Sequence, residues 1–116
     1  MTADRILKAL AEPTRLRIAM LLTHGELCVC DLTATLELPQ STISRHVAVM
    51  RSAQIVRDRR SRKWVHYCLS AEPLASLIMS SLAPQLLATE PYAADHRRLR
   101  EHLSQKRLEE LSCETK

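Results

Sequence analysis

A mainly helical fold with one small β-hairpin is what this sequence predicts, and three observations carry the prediction. Apolar residues recur at helical spacing through residues 1–53 and again from residue 71 onward. One stretch, residues 55–69, instead alternates on either side of a basic tip. Hydrophobic residues make up 46% of the chain, with no Phe and one Trp, so its core must be built of Leu, Ile, Val, Ala and Met, enough for a single domain over residues 1–116.

The elements follow in order. Ile6, Leu7 and Leu10 share one face of a first helix. Glu12-Pro13 restarts the pattern, since proline suits a first helical turn, and the second helix is dense in Leu16, Ile18, Ala19, Met20, Leu21 and Leu22. Gly25, the only glycine, stands where a left-handed cap is wanted. A short helix from about Cys28 to Leu36 places Val29, Leu32 and Leu36 at i, i+3 and i+7, and Glu37-Leu38-Pro39-Gln40 breaks it. Residues 41–52 form the next helix, with Ile43, Val47 and Met50 inward. Ser41, Arg45, Ala48 and Ser52 lie on the opposite side, a small, polar and cationic face of the kind that enters a nucleic-acid groove. Residues 28–53 are therefore a helix-turn-helix candidate, although the turn lacks the glycine common there.

Residues 55–69 give two strands, with Val65, Tyr67 and Leu69 on one face and Trp64, His66 and Cys68 on the other. They form a wing tipped by Arg59, Arg60, Arg62 and Lys63. Beyond Ser70, an apolar stripe of Leu74, Leu77, Ile78, Leu82, Leu86 and Leu87 is interrupted at Pro84, and residues 92–111 make a charged helix with Leu99, Leu103, Leu108 and Leu111 near one side. The expected order is α-α-α-α-β-β-α-α, a winged helix-turn-helix. The helices of residues 1–23 and 71–111 carry no catalytic chemistry and are expected to join two copies in a homodimer, because a leftover apolar face needs a partner.

Charge points to the same partner class. The net charge is +4, and residues 45–63 hold seven Lys/Arg against Asp58 alone. A patch so focused fits double-stranded DNA, contacted by Gln40, Ser41, Thr42, Ser44, Arg45 and His46 of the helix and by Arg59, Arg60, Arg62 and Lys63 of the wing. No run approaches the ~18 apolar residues of a membrane span, and no export signal is recognisable, so a cytoplasmic protein without a membrane partner is expected. Four cysteines in such a compartment are free, metal-binding or redox-active. A thiol reductase is disfavoured, since the pair Cys28 and Cys30 is spaced Cys-x-Cys and no phosphate-cradling glycine loop accompanies it.

The segments ALAEPTRLRIAMLL, GELCVCDL, LPQSTISRHVAVMRSAQIV and RKWVHYCLS, in that order over residues 5–70, resemble the ArsR/SmtB family of metal-responsive bacterial repressors, and its arsenic-responsive members in particular. The resemblance implies a homodimeric repressor of a metalloid-resistance operon. It would need no cofactor for DNA binding and would leave its operator when trivalent arsenic or antimony binds cysteine thiolates. Arsenic-responsive members often read Cys-x-Cys-x-x-Cys; Cys28 and Cys30 match, and the third position is Thr33. The third donor is then Cys113, Cys68 or a small exogenous thiol, with Cys113 ranked ahead of Cys68. A cadmium- or lead-type sensor would add N-terminal thiolates, and no cysteine precedes Cys28. Zinc-responsive relatives use Asp and His of the C-terminal helices, but Asp95, His96 and His102 miss that spacing and are expected to be solvated. A redox sensor that closes a Cys28–Cys30 disulfide is the remaining alternative. On an ideal helix residues i and i+2 are ~200° apart, so one ion held by both thiolates is expected to unwind the first turn of the 28–36 helix and displace the 41–52 helix.

Overall fold

The computed structural model describes residues 2–62 and 64–114, with side chains up to residue 110. The elements are α1 (Ala3–Leu10), α2 (Pro13–Leu22), β1 (Leu27–Cys28), α3 (Val29–Leu36), α4 (Gln40–Ser52), β2 (Val56–Ser61), β3 (Trp64–Leu69), α5 (Pro73–Leu86) and α6 (Tyr92–Glu114). The fold is the expected mainly helical one with its hairpin, but the order gains a strand. β1 pairs antiparallel with β3, Leu27 opposite Tyr67 and Cys28 opposite His66, which makes a three-stranded sheet of order β1-β3-β2. A two-residue strand is too short for alternation to reveal it.

Local chemistry sets the element ends. Glu12 caps α2 by accepting the Arg15 amide at 2.8 Å, with Pro13 in the first turn, and Glu72 caps α5 by accepting the Ala75 amide at 2.8 Å behind Pro73. Gly25 has φ +142°, a conformation that costs other residues more. Between α3 and α4, Glu37 adopts the left-handed conformation (φ 56°) and its N–H bonds the Thr33 carbonyl, so a non-glycine residue fills the role of the absent glycine. Pro84 does not interrupt α5. It lies in the last turn, where its missing N–H costs a single backbone bond, and the helix continues to Leu86.

The core gathers Ile6 and Leu10 of α1, Ile18, Met20 and Leu21 of α2, Leu32 of α3, Ile43, Val47 and Met50 of α4, Ile55, Val56 and Tyr67 of the hairpin region, and Leu99 of α6. Leu7 is turned outward instead, 52% exposed, as are Leu77 of α5 at 63% and Leu108 of α6 at 62%. A fully buried carboxylate locks α6 to α2: Asp95 accepts two bonds from Arg17, each 2.8 Å, and one from Arg98 at 2.7 Å. Neighbouring His96 bonds the Met20 carbonyl at 2.8 Å through Nε2. Asp95 and His96 are thus tertiary anchors, contrary to the expectation of solvated side chains, because α6 lies flat on α2. No helix among the described residues is long and apolar enough to cross a membrane.

Candidate thiolate site and nucleic-acid interface

Cys28 ends β1 and caps α3. Its backbone is extended (φ −82°, ψ 163°), its Sγ accepts the Asp31 amide at 3.3 Å, and the Asp31 carboxylate accepts the Cys28 amide at 3.0 Å. This is a capping box with sulfur in place of the usual hydroxyl. Cys30 lies in the first helical turn, 5.2 Å away between Cα atoms, and the two sulfurs are joined as a disulfide. The expected need to unwind α3 is therefore overturned. The ~200° separation holds only when both residues are helical, and Cys28 is not.

The second helix of the site comes from the far end of the chain. Asp31 is buried, and its Oδ1 accepts His102 Nε2 at 2.8 Å and Lys106 Nζ at 3.0 Å; the same ammonium lies 3.7 Å from Cys28 Sγ. Burial works against charge on Asp31, yet the Cys28 amide, His102 and Lys106 outweigh it and hold its carboxyl below the ordinary range. His102 accordingly clasps α6 to α3, where a solvated residue was expected.

Ligand atoms of Cys28, Cys30 and Asp31 lie within 4.8 Å of one another. Two sulfurs suit a soft ion, whereas the Asp31 oxygens already accept three bonds. Thr33 offers no replacement, since its hydroxyl donates to the Cys30 carbonyl at 3.0 Å. Cys68 stands two residues beyond His66 on β3 and meets the Arg57 guanidinium at 3.9 Å, so it does not join the pair. The Cys113 side chain lies outside the described residues. Beside the two sulfurs opens a cavity of about 240 Å³ lined by Cys28, Cys30, Trp64, His66, Lys106 and Glu110. Sequence reasoning missed Asp31, His102 and Lys106. The Cys28-x-x-Asp31 spacing was a readable capping signal, but nothing along the chain links it to α6.

On α4, Gln40, Ser41, Ser44 and Arg45 are exposed and Thr42 is half-buried. His46 is turned inward, its Nδ1 3.3 Å from Arg15 and 3.7 Å from Glu12, and so sits between α4 and α2. On the wing Arg59, Arg60 and Arg62 are exposed, while Lys63 lies outside the described residues. Arg59 is bound by both carboxylate oxygens of Glu26, just ahead of β1, and this pairing holds the Glu26 carboxyl below its ordinary range. Arg45, Arg60 and Arg62 make no ion pair among the described residues.

Residues 12–58, from the α2 cap to β2, match the family described as "Bacterial regulatory protein, arsR family". An arsenic resistance transcriptional regulator of Pseudomonas putida is 40% identical over 96 residues, 82% of this chain and 83% of that one. The chain belongs to the ArsR family. The arsenical resistance operon repressor of Escherichia coli is 51% identical to this ArsR-family chain over 67 residues, which spans just over half of that relative, 57% of its length. Among solved structures, HlyU from Vibrio cholerae is similar at a TM-score of 0.67 and 34% identity, covering 72% of this chain and 90% of that one. The transcriptional repressor BigR from Xylella fastidiosa is similar at 0.67 and 32%, covering 75% and 85%. These relatives are regulators, not enzymes, and the thiol-reductase alternative is set aside.

Proposed function

We propose that this ArsR-family chain is a metalloid-responsive transcriptional repressor that binds operator DNA as a homodimer and releases it when Cys28 and Cys30 bind trivalent arsenic or antimony. The observation that carries this reading is the convergence of the two sulfurs at the start of α3, the helix packed against α4. Thiolates select soft ions, and the binding form is the dithiol, reached from the disulfide by two-electron reduction by a cellular thiol. The names of the arsenic-resistance relatives support the choice of ion. Gln40, Ser41, Ser44 and Arg45 face the bases, with Thr42 at the edge of that surface. Arg60, Arg62 and Lys63 meet phosphate, Arg59 does so while holding Glu26, and His46 positions α4 on α2. Outward-facing Leu7, Leu77 and Leu108 supply apolar surface for the second copy.

Cys28 adjoins both parts: it caps α3, which packs against α4, and it pairs with His66 in β3 of the wing. A coupling of ~3 kcal/mol between ion and operator would weaken DNA binding about 150-fold. Arsenite-driven operator release, followed by fluorescence anisotropy, tests the reading: Cys28→Ser and Cys30→Ser should each abolish release while keeping DNA affinity. Unchanged release in both variants overturns it.

A second reading has its own observation, the Cys28–Cys30 disulfide. Hydrogen peroxide would take two electrons and the two thiol protons from the dithiol, close the S–S bond and leave as two waters. Loss of operator binding under peroxide without arsenic, reversed by a reductant, would favour this redox sensor.

A further inference from the structure

If Cys28 and Cys30 bind trivalent arsenic as proposed above, the third coordination position remains to be filled. The cavity beside the two sulfurs measures about 240 Å³, some eight water volumes at ~30 Å³ each, enough for an amino-acid-sized molecule. Among the described residues no third thiol lines it: Cys68 does not join the pair, while Thr33 is turned to the Cys30 carbonyl and Asp31 is fully engaged. Its walls carry opposite charges one helical turn apart, Lys106 and Glu110 of α6. Residues at i and i+4 of opposite sign ordinarily pair, but these do not. Lys106 reaches back to Asp31 and Cys28, which uses two of its three N–H donors, while Glu110 makes no ion pair among the described residues. Trp64 and His66 of the wing line the other side.

We propose that this cavity is a binding site for a small zwitterionic aminothiol of the cysteine type, whose thiolate is the third arsenic ligand. Its carboxylate would take the remaining Lys106 donor and its ammonium the Glu110 carboxylate. The chemistry is ligand exchange without redox. Arsenous acid and three thiols, two from the protein and one from the aminothiol, give three As–S bonds in place of three As–O bonds. Each thiol proton leaves with a hydroxide as water, and arsenic stays trivalent. The sensor then responds to arsenic in the form it takes in a thiol-rich medium.

The test uses the full-length chain with a phosphine reductant in place of thiols, and equilibrium dialysis against radiolabelled L-cysteine with and without arsenite. About one cysteine per protomer should be retained with arsenite and none without it. 2-Mercaptoethanol, which lacks both charges, should be retained about tenfold less tightly. Glu110→Gln should narrow that difference while circular dichroism stays unchanged, and X-ray absorption should count three sulfurs per arsenic only when cysteine is present. Equal retention of the two thiols overturns the proposal. So does a three-sulfur site formed without added thiol and lost in Cys113→Ser, which would make Cys113 the third donor. Arsenic bound by two sulfurs and indifferent to cysteine sinks this proposal alone, whereas no arsenic binding under any condition also sinks the metalloid reading.

Discussion

Replacing Asp31 with Asn keeps the shape of the side chain and destroys its chemistry, which makes it a sensitive probe of the clasp between α3 and α6. Asp31 accepts the Cys28 amide on one oxygen and both His102 and Lys106 on the other, at 3.0, 2.8 and 3.0 Å. An amide has one acceptor oxygen and one donor group, so whichever way it turns, an N–H faces an N–H. With the oxygen toward α6, the cap bond to Cys28 is lost, about 1 kcal/mol. The bond from Lys106 also loses its charge assistance. The Lys106 side chain is 36% exposed, and solvent screening limits that loss to about 1 kcal/mol. Asp31→Asn should therefore cost ~2 kcal/mol and, for a domain of this size, lower Tm by roughly 8 °C. Urea unfolding of the reduced protein, run as a double-mutant cycle with Lys106→Met, should return a coupling of about 1 kcal/mol. A loss below ~0.5 kcal/mol, or additivity within ~0.3 kcal/mol, would refute the claim that this network fastens α6 to the thiol site.

Asp95→Ala leaves the Arg17 guanidinium without its buried partner and should cost about 3 kcal/mol in urea unfolding; a loss under ~1 kcal/mol would contradict the anchoring role. Arg45→Ala should weaken operator more than random DNA, whereas Arg60→Ala should weaken both and reduce the salt dependence by about one phosphate contact; equal losses everywhere would remove the distinction between base and phosphate contacts. Burial opposes charge on Glu12, but the Arg15 and Thr14 amides and the His46 and Arg15 charges outweigh it, so the folded carboxyl titrates below its unfolded value. Its contribution is present above the ordinary carboxylate pKa of ~4.3 and lost as pH falls through the lower folded value. The stability gap between the parent and Glu12→Gln should thus be full at neutral pH and close in acid; a gap that widens in acid would reverse the assignment.

The helices and the hairpin were legible because burial writes a period into the sequence, as Ile43, Val47 and Met50 show on α4. The inward turn of His46 was not read, although the residue lies three after Ile43 and four before Met50, on the edge of the buried stripe. What escaped was tertiary. β1 exists only because Leu27 and Cys28 find Tyr67 and His66 some forty residues on, and Asp31 acquires its partners 71 and 75 residues away. The expectation about the cysteines failed on one residue. Treating Cys28 as the first helical position rather than the cap rotated its sulfur away from Cys30, and a boundary error of that size is common for helix ends.

Cys28 Sγ accepts the Asp31 amide at 3.3 Å, and α3 would lose this cap only if arsenic coordination turned the sulfur away from that amide. The cost is one cap bond, ~1 kcal/mol per protomer. Only if the DNA-bound state needed the cap and the free state did not would the cost fall on operator binding, and with two copies it would then reach at most ~2 kcal/mol, about thirtyfold in affinity. That falls short of the ~150-fold expected for a coupling of 3 kcal/mol. The remainder has a route on the other side of the same residue. Cys28 is paired with His66 in β3, and Glu26, two residues earlier, grips Arg59 on β2, so a shift of β1 pulls on the wing at two points. Uncapping α3 acts on the α4 side and tugging β1 acts on the wing. Under the proposed function, a single pair of sulfurs at the seam between them would reach both surfaces, which neither the helix path nor the strand path would do alone.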